Sequence, residues 1–133
     1  MKYICFGYYD KSKFDGMTGD ERNAMFDTCF EYDDHLRANG HFVGGEALQP
    51  NETAMTLRMK NGKVEFTDGP YAETKEQLGG ILFLEARDIN HAVQLISQHP
   101  SVKYGNLWEI RPTGDMSEII KQSEERRRRA VSK

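Results

Sequence analysis

The chain has 133 residues, which is the length of one ordinary domain and too short for two. A formal net charge of -3 does not favour a nucleic-acid binder, and no stretch approaches the roughly 20 apolar residues of a membrane helix. The N-terminal run is too short, and too polar at its end, for a signal peptide, and the two cysteines, Cys5 and Cys29, form no disulfide or metal-binding pattern. We therefore expect a cytoplasmic protein without a metal ion or cofactor.

The first half of the chain predicts a strand and then a long helix. Residues 3–9 are almost continuously apolar and predict a buried strand, and a polar loop is expected over 10–19. Thr18 and Glu21 have the spacing of a capping box, which would open a helix that runs to about Asn39. Four apolar positions recur on one face of this helix: Met25, Cys29, Tyr32 and Leu36.

A second strand is expected over residues 41–48, after a left-handed helix end at Gly40. The paired glycines Gly44 and Gly45 indicate a bulge within it.

A β-hairpin is the clearest local signal in the sequence. Residues 53–60 alternate between apolar and polar side chains, and Asn61-Gly62 follows, which is typical of a two-residue hairpin turn. The register that puts all apolar side chains on one face pairs Thr56 with Thr67, Leu57 with Phe66, Arg58 with Glu65, Met59 with Val64, and Lys60 with Lys63.

The remaining elements complete an α+β domain. A charged loop over 68–77 precedes an apolar strand over 78–86, a helix capped by Asp88 and ended by His99-Pro100, and a strand over 106–111. Without the hairpin, the order is βαββαβ, the ferredoxin-like plan of a sheet with two helices on one face. Because such a sheet has a second face, we expect another copy of the chain to cover it.

One long motif connects the sequence to a known family. Residues 68–80 read DGPYAETKEQLGG, and shorter matches are MKY at 1–3, RANG at 37–40, GGEAL at 44–48, EARD at 85–88 and EIRP at 109–112. This pattern resembles the DGPF branch of the YCII-related domain family, with Tyr71 at the position of the phenylalanine. The resemblance covers residues 1–112 and leaves 113–133 as a C-terminal helical tail.

The resemblance implies a ferredoxin-like fold that dimerises into an α+β barrel. A His-Asp pair has been proposed as the active site of related YCII domains, and Cys29 stands at the position that resembles the helix histidine of the family. Genes of this branch often neighbour alternative sigma factors, so a regulatory role is an alternative to an enzymatic one.

The charged loop supplies most of the candidate site residues. Asp68 is the candidate catalytic residue, as a general base or a ligand anchor, although turn aspartates are common at Gly-Pro bends. The expected ligand-binding residues are Tyr71, Glu73, Lys75, Glu76 and Cys29. The alternatives are a solvated loop for the charged residues and a packed core thiol for Cys29.

The predicted function is that of a homodimeric small-molecule-binding protein or a cofactor-free enzyme, with its pocket between the sheet and the helices. One alternative is a non-enzymatic regulatory or accessory partner linked to alternative sigma factor control, which would act through the tail. Another alternative is a stable dimer without a ligand. The Arg126–Arg129 run lies beside two glutamates, so it predicts a solvated helix end rather than a nucleic-acid contact.

Overall fold

The computed structural model describes residues 1–132, with side chains through residue 131. Its elements are β1 (Lys2–Asp10), α1 (Lys11–Asp15), α2 (Gly19–Ala38), β2 (Phe42–Ala47), β3 (Met55–Lys60), β4 (Lys63–Asp68), β5 (Glu76–Glu85), α3 (Ile89–Ser97), β6 (Leu107–Pro112) and α4 (Ser117–Ser132). Short 3-10 turns lie at Asn51–Thr53 and Pro100–Tyr104. Within the described residues, no helix combines the length and the apolar content needed to cross a membrane.

Four strands form one antiparallel sheet in the order β2-β5-β1-β6. This order, with α2 and α3 as the two connecting helices, is the ferredoxin-like topology that the sequence predicts. Cys5 at the centre of β1 lies opposite Leu82 of β5 and Ile110 of β6, so the middle of the sheet is built from apolar side chains. A register shift between Phe42 and Gly44 confirms the irregularity expected from the paired glycines.

The hairpin is a separate two-stranded sheet made of β3 and β4. Its register has all five predicted pairs, including Arg58 with Glu65 and Leu57 with Phe66. The Asn61-Gly62 turn adopts positive φ angles of 51° and 78°, as a tight hairpin turn requires. The apolar face of the hairpin is exposed, and an isolated two-stranded hairpin is only marginally stable.

The helices begin where the sequence indicates. Thr18 and Glu21 form the reciprocal capping box of α2, and the Asp88 carboxylate accepts a hydrogen bond from the His91 backbone N–H at the start of α3. Gly40 has a φ of 78°, which ends α2 in the left-handed region. The core lies between the sheet and α3 and contains Tyr3, Cys5, Leu82, Leu84, Ala86, Ala92 and Ile96.

The polar loop expected over residues 10–19 contains a short helix instead, α1. The Asp10 carboxylate accepts hydrogen bonds from the backbone N–H groups of Ser12 and Lys13 and from the Ser12 hydroxyl. These bonds cap the helix, and Lys11 forms an ion pair with Asp15 at 2.7 Å along it. These local side-chain hydrogen bonds therefore stabilise a short helix. The apolar pattern of the segment is too short to predict that helix from the sequence.

Candidate functional site

A cleft of about 820 Å³ lies between the sheet and α2. Helix α2 is held to the domain by the buried side chains of Met25 and Leu36 and by the Tyr32 hydroxyl, which donates to the Leu95 carbonyl oxygen. The middle of the helix presents Cys29 to the cleft, and the sheet opposite it presents Gly7 and Gly80, which have no side chains. The volume of the cleft suits a small-molecule ligand.

A histidine and an aspartate form a partly buried pair in the wall of this cleft. Asp33 lies on α2, one turn after Cys29, and His99 precedes the 3-10 turn that follows α3. The distance from His99 Nε2 to Asp33 Oδ1 is 3.0 Å. The His99 side chain is only 5% exposed, whereas that of Asp33 is 22% exposed. Asp33 is therefore the member of the pair that a molecule in the cleft can reach.

The second ring nitrogen of His99 is occupied by hydrogen-bond donors. His99 Nδ1 lies 3.2 Å from the backbone nitrogen of Ser101 and 2.7 Å from its hydroxyl oxygen. The indole N–H of Trp108 donates to the same hydroxyl oxygen at 2.8 Å, so the hydroxyl proton is left to point at Nδ1. Because a backbone N–H can only donate, Nδ1 is an acceptor, and the proton of the neutral imidazole lies on Nε2.

This network assigns different roles to the two members of the pair. The Nε2–H group donates to the Asp33 carboxylate and orients it. Since both nitrogens of His99 are engaged, the lone pairs that remain open to the cleft belong to Asp33. The arrangement suits a general base made of Asp33, with His99 as its buried partner.

Cys29 lies in the same cleft, but its thiol is not activated. Burial and, to a smaller extent, the nearby Asp33 carboxylate raise the pKa of Cys29 to about 11, against a smaller opposing effect of the Ser101 backbone N–H. A nucleophilic cysteine requires the opposite environment. The thiol therefore contributes a small, neutral group to the cleft wall.

The loop residues proposed from the sequence lie elsewhere or at the edge of the site. Asp68 ends β4 opposite Met55, and Asp68, Tyr71 and Glu73 are exposed and are not among the described residues that line the cleft. The turn after Asp68 is held by backbone and Thr56 hydrogen bonds to Gly69. The catalytic role of Asp68 and the ligand-binding roles of Tyr71 and Glu73 stay predictions.

Two residues of the loop lie next to Asp10, and Asp10 lines the cleft. The Lys75 ammonium lies 3.8 Å from the Asp10 carboxylate, and Glu76 is the β5 partner of Asp10 in the sheet. The Ser12 hydroxyl, the largest of several hydrogen-bonding effects, lowers the pKa of Asp10. Lys75 and Glu76 therefore flank the cleft without entering it, and their ligand-binding roles also stay predictions.

Asp33, His99 and Ser101 are not among the site residues that the sequence predicts. Asp33 follows Cys29 by four residues, so helical periodicity places both on one face of the helix. This spacing is the sequence signal that could have identified Asp33. His99 was interpreted only as a helix end, and its partner lies 66 residues away in the chain. No described group of three His, Cys, Asp or Glu side chains is arranged to hold a metal ion.

The fold and the paired residues define a small ferredoxin-like α+β domain with a ligand-sized cleft. Residues 1–117 match the family model of the YCII-related domain, so the chain belongs to the YCII-related family. An uncharacterised protein from Rhizobium meliloti (strain 1021) is 36% identical over 117 residues, which cover 84% of this chain and 91% of that protein.

A solved structure that is similar in fold is that of 5-chloro-2-hydroxyhydroquinone dehydrochlorinase (TftG) from Burkholderia phenoliruptrix AC1100, in complex with 2,5-dihydroxybenzoquinone. The two chains are 16% identical, the match covers 88% of this chain and 98% of that one, and the TM-score is 0.48.

We expect both thiols to be unreactive in the folded protein. A pKa of about 11 for Cys29, against an ordinary value of 9.0, leaves about a hundredfold less thiolate at neutral pH, and burial raises the pKa of Cys5 to about 12. Alkylation by iodoacetamide, followed by mass spectrometry, should be slow in buffer and should modify two thiols in guanidinium. Rapid modification of Cys29 in the native protein would contradict this description of the cleft.

Proposed function

We propose that this protein is a cofactor-free enzyme that moves a proton on a small molecule bound in the cleft. The observation that carries the proposal is the Asp33–His99 pair, in which a buried imidazole donates a hydrogen bond to a carboxylate that is open to the cleft. The His-Asp pair proposed for related YCII domains supports the same reading. In this chain, Asp33 and His99 would form the pair, while Cys29 occupies the position that resembles the helix histidine.

The chemistry follows from the free oxygen of Asp33. A C–H or O–H acid bound beside it loses its proton to the carboxylate, and the electron pair stays on the substrate. Asp33 then returns the proton to a different atom of the substrate, which gives an isomerisation and requires no other reactant. His99 keeps its Nε2–H bond to Oδ1, so the orientation of the carboxyl group is maintained through both steps.

We expect Asp33→Asn to abolish proton abstraction without unfolding the domain. The amide oxygen of asparagine can still accept the His99 Nε2–H bond, but it has no charge with which to take a proton. The assay incubates the protein in D2O with a panel of small carbonyl and phenolic compounds and follows deuterium incorporation by NMR. For a compound that the native protein exchanges, Asp33→Asn should lower the rate by about a hundredfold or more.

The matched control is Asp27→Asn, since Asp27 lies exposed on the same helix. It should exchange at the native rate. Asp68→Asn separates the two candidate bases: loss of exchange in Asp68→Asn, with full exchange in Asp33→Asn, would assign the catalytic carboxylate to the loop and overturn our assignment. If the native protein exchanges no compound, the enzymatic proposal fails.

We also propose that two copies of the chain associate through the outer face of the sheet. Tyr3 and Cys5 point to the core, so the alternating residues Ile4 and Phe6 point to the other face, where Phe83 of β5 is the cross-strand partner of Ile4. These three side chains are half-buried in the single chain. Such an apolar sheet face is typical of an interface between subunits.

Sedimentation velocity at micromolar concentration should therefore show a dimer. Phe83→Glu places a charge in the proposed interface and should give a monomer, whereas Val131→Glu, at a position that is 87% exposed on α4, should leave the dimer intact. Circular dichroism of each variant verifies that it is folded. A native protein that sediments as a monomer, or a folded Phe83→Glu variant that remains dimeric, would exclude this interface.

A further inference from the structure

Two aromatic rings cover the floor of the cleft. A Cβ atom on Gly7 would lie 3.0 Å from Cη2 of Trp108, and one on Gly79 would lie 2.8 Å from Cδ1 of Tyr9. The indole and the phenol ring therefore occupy the space that side chains at these two glycines would fill. The sheet side of the cleft therefore presents aromatic surface, beside the aliphatic residues Ile81 and Leu82.

A row of rings also lines the helical side. Phe14 of α1 contacts Tyr9 at a centroid distance of 6.0 Å and Phe26 at 5.9 Å, and Phe26 stacks on Phe30 at 5.7 Å with an interplanar angle of 8°. Phe26 and Phe30 are nevertheless 37% and 59% exposed. These rings line the cleft without being covered by the rest of the chain, so a ligand can gain their contact.

One cation of the cleft, Lys13, forms no ion pair within the part of the chain that the structure describes. Lys13 lines the cleft, and its Nζ atom lies 3.5 Å from the position of a Cβ on Gly105, the residue that ends the turn carrying Ser101. Among the described residues, no carboxylate lies within ion-pair distance of Lys13. Arg37, the other cation of the cleft, is already paired with Asp34 at 2.7 Å.

We propose that the ligand of this cleft is a single-ring aromatic compound that carries an anionic group. The ring lies against the aromatic side chains of the floor and of α2, and the anionic group meets Lys13. An acidic hydroxyl or C–H group on the ring then faces the free oxygen of Asp33. This inference rests on the proposed function, because it assumes that the same cleft is the active site.

The chain has one tryptophan, so its indole N–H gives a single resonance in a ¹H–¹⁵N spectrum. Trp108 lines the cleft, and its indole N–H is bonded to Ser101, so this resonance reports binding beside the His99–Asp33 pair. The full chain is titrated with 4-hydroxybenzoate, with trans-4-hydroxycyclohexanecarboxylate as the non-aromatic match, and with 4-hydroxybenzyl alcohol as the neutral match. We expect 4-hydroxybenzoate to bind about three- to tenfold more tightly than the non-aromatic acid.

Two variants test the recognition elements separately. Lys13→Met should weaken 4-hydroxybenzoate by about threefold or more and leave the neutral alcohol unchanged, with Lys103→Met as the exposed control. Phe30→Leu should weaken the aromatic acid and spare the non-aromatic one. Since Lys13 and Phe30 are both exposed, neither change removes core packing.

Equal binding of the aromatic and non-aromatic acids would overturn the inferred ligand class while leaving the cleft as a small-molecule site. Equal binding of the acid and the alcohol, or an unchanged affinity in Lys13→Met, would overturn the role of the anionic group. If no compound shifts the indole resonance at millimolar concentration, the inference fails. The deuterium-exchange screen with Asp33→Asn then decides independently whether the proposed function also fails.

Discussion

The site depends on one chain of hydrogen bonds, from the Trp108 indole through the Ser101 hydroxyl and the His99 imidazole to the Asp33 carboxylate. These hydrogen bonds join β6, the turn after α3 and the C-terminal half of α2, which are three separate parts of the fold. Burial strengthens these hydrogen bonds, because a hydrogen bond is stronger away from water and an unsatisfied donor there costs free energy. No buried side-chain polar atom of the described residues lacks a partner.

The same interaction helps to hold α2 beside the cleft. A cleft of this size exposes apolar surface, and the helix is also held by the buried Met25 and Leu36 and by the Tyr32 hydroxyl, which donates to the Leu95 carbonyl oxygen. The Asp33–His99 bond adds a polar contact in the C-terminal half of the helix. The fold therefore combines a packed half beneath α3 with an open cleft beneath α2.

Much of the fold was predictable from the sequence, and the main features of the site were not. The hairpin register, the capping box of α2 and the βαββαβ order rest on local spacing, which a sequence displays directly. The short helix α1 was missed because its Asp10 cap is a local bond without an apolar pattern. Asp33 and His99 meet only through the packing of α2 against the turn after α3, and no short-range rule relates residues so far apart. The loop around Asp68 is conspicuous in the sequence because it is charged. The Asp33 carboxylate obtains its partner, His99, through burial, which the sequence does not display.

The tautomer of His99 tests the central claim most directly. Long-range ¹H–¹⁵N correlation spectra of the native protein at neutral pH distinguish a protonated ring nitrogen from an unprotonated one. Our account predicts that Nε2 is protonated and Nδ1 is not, and that Ser101→Ala perturbs the Nδ1 resonance while Nε2 keeps its proton. A neutral His99 with its proton on Nδ1 would contradict the account, because Asp33 would then lack the donor on which its proposed role depends.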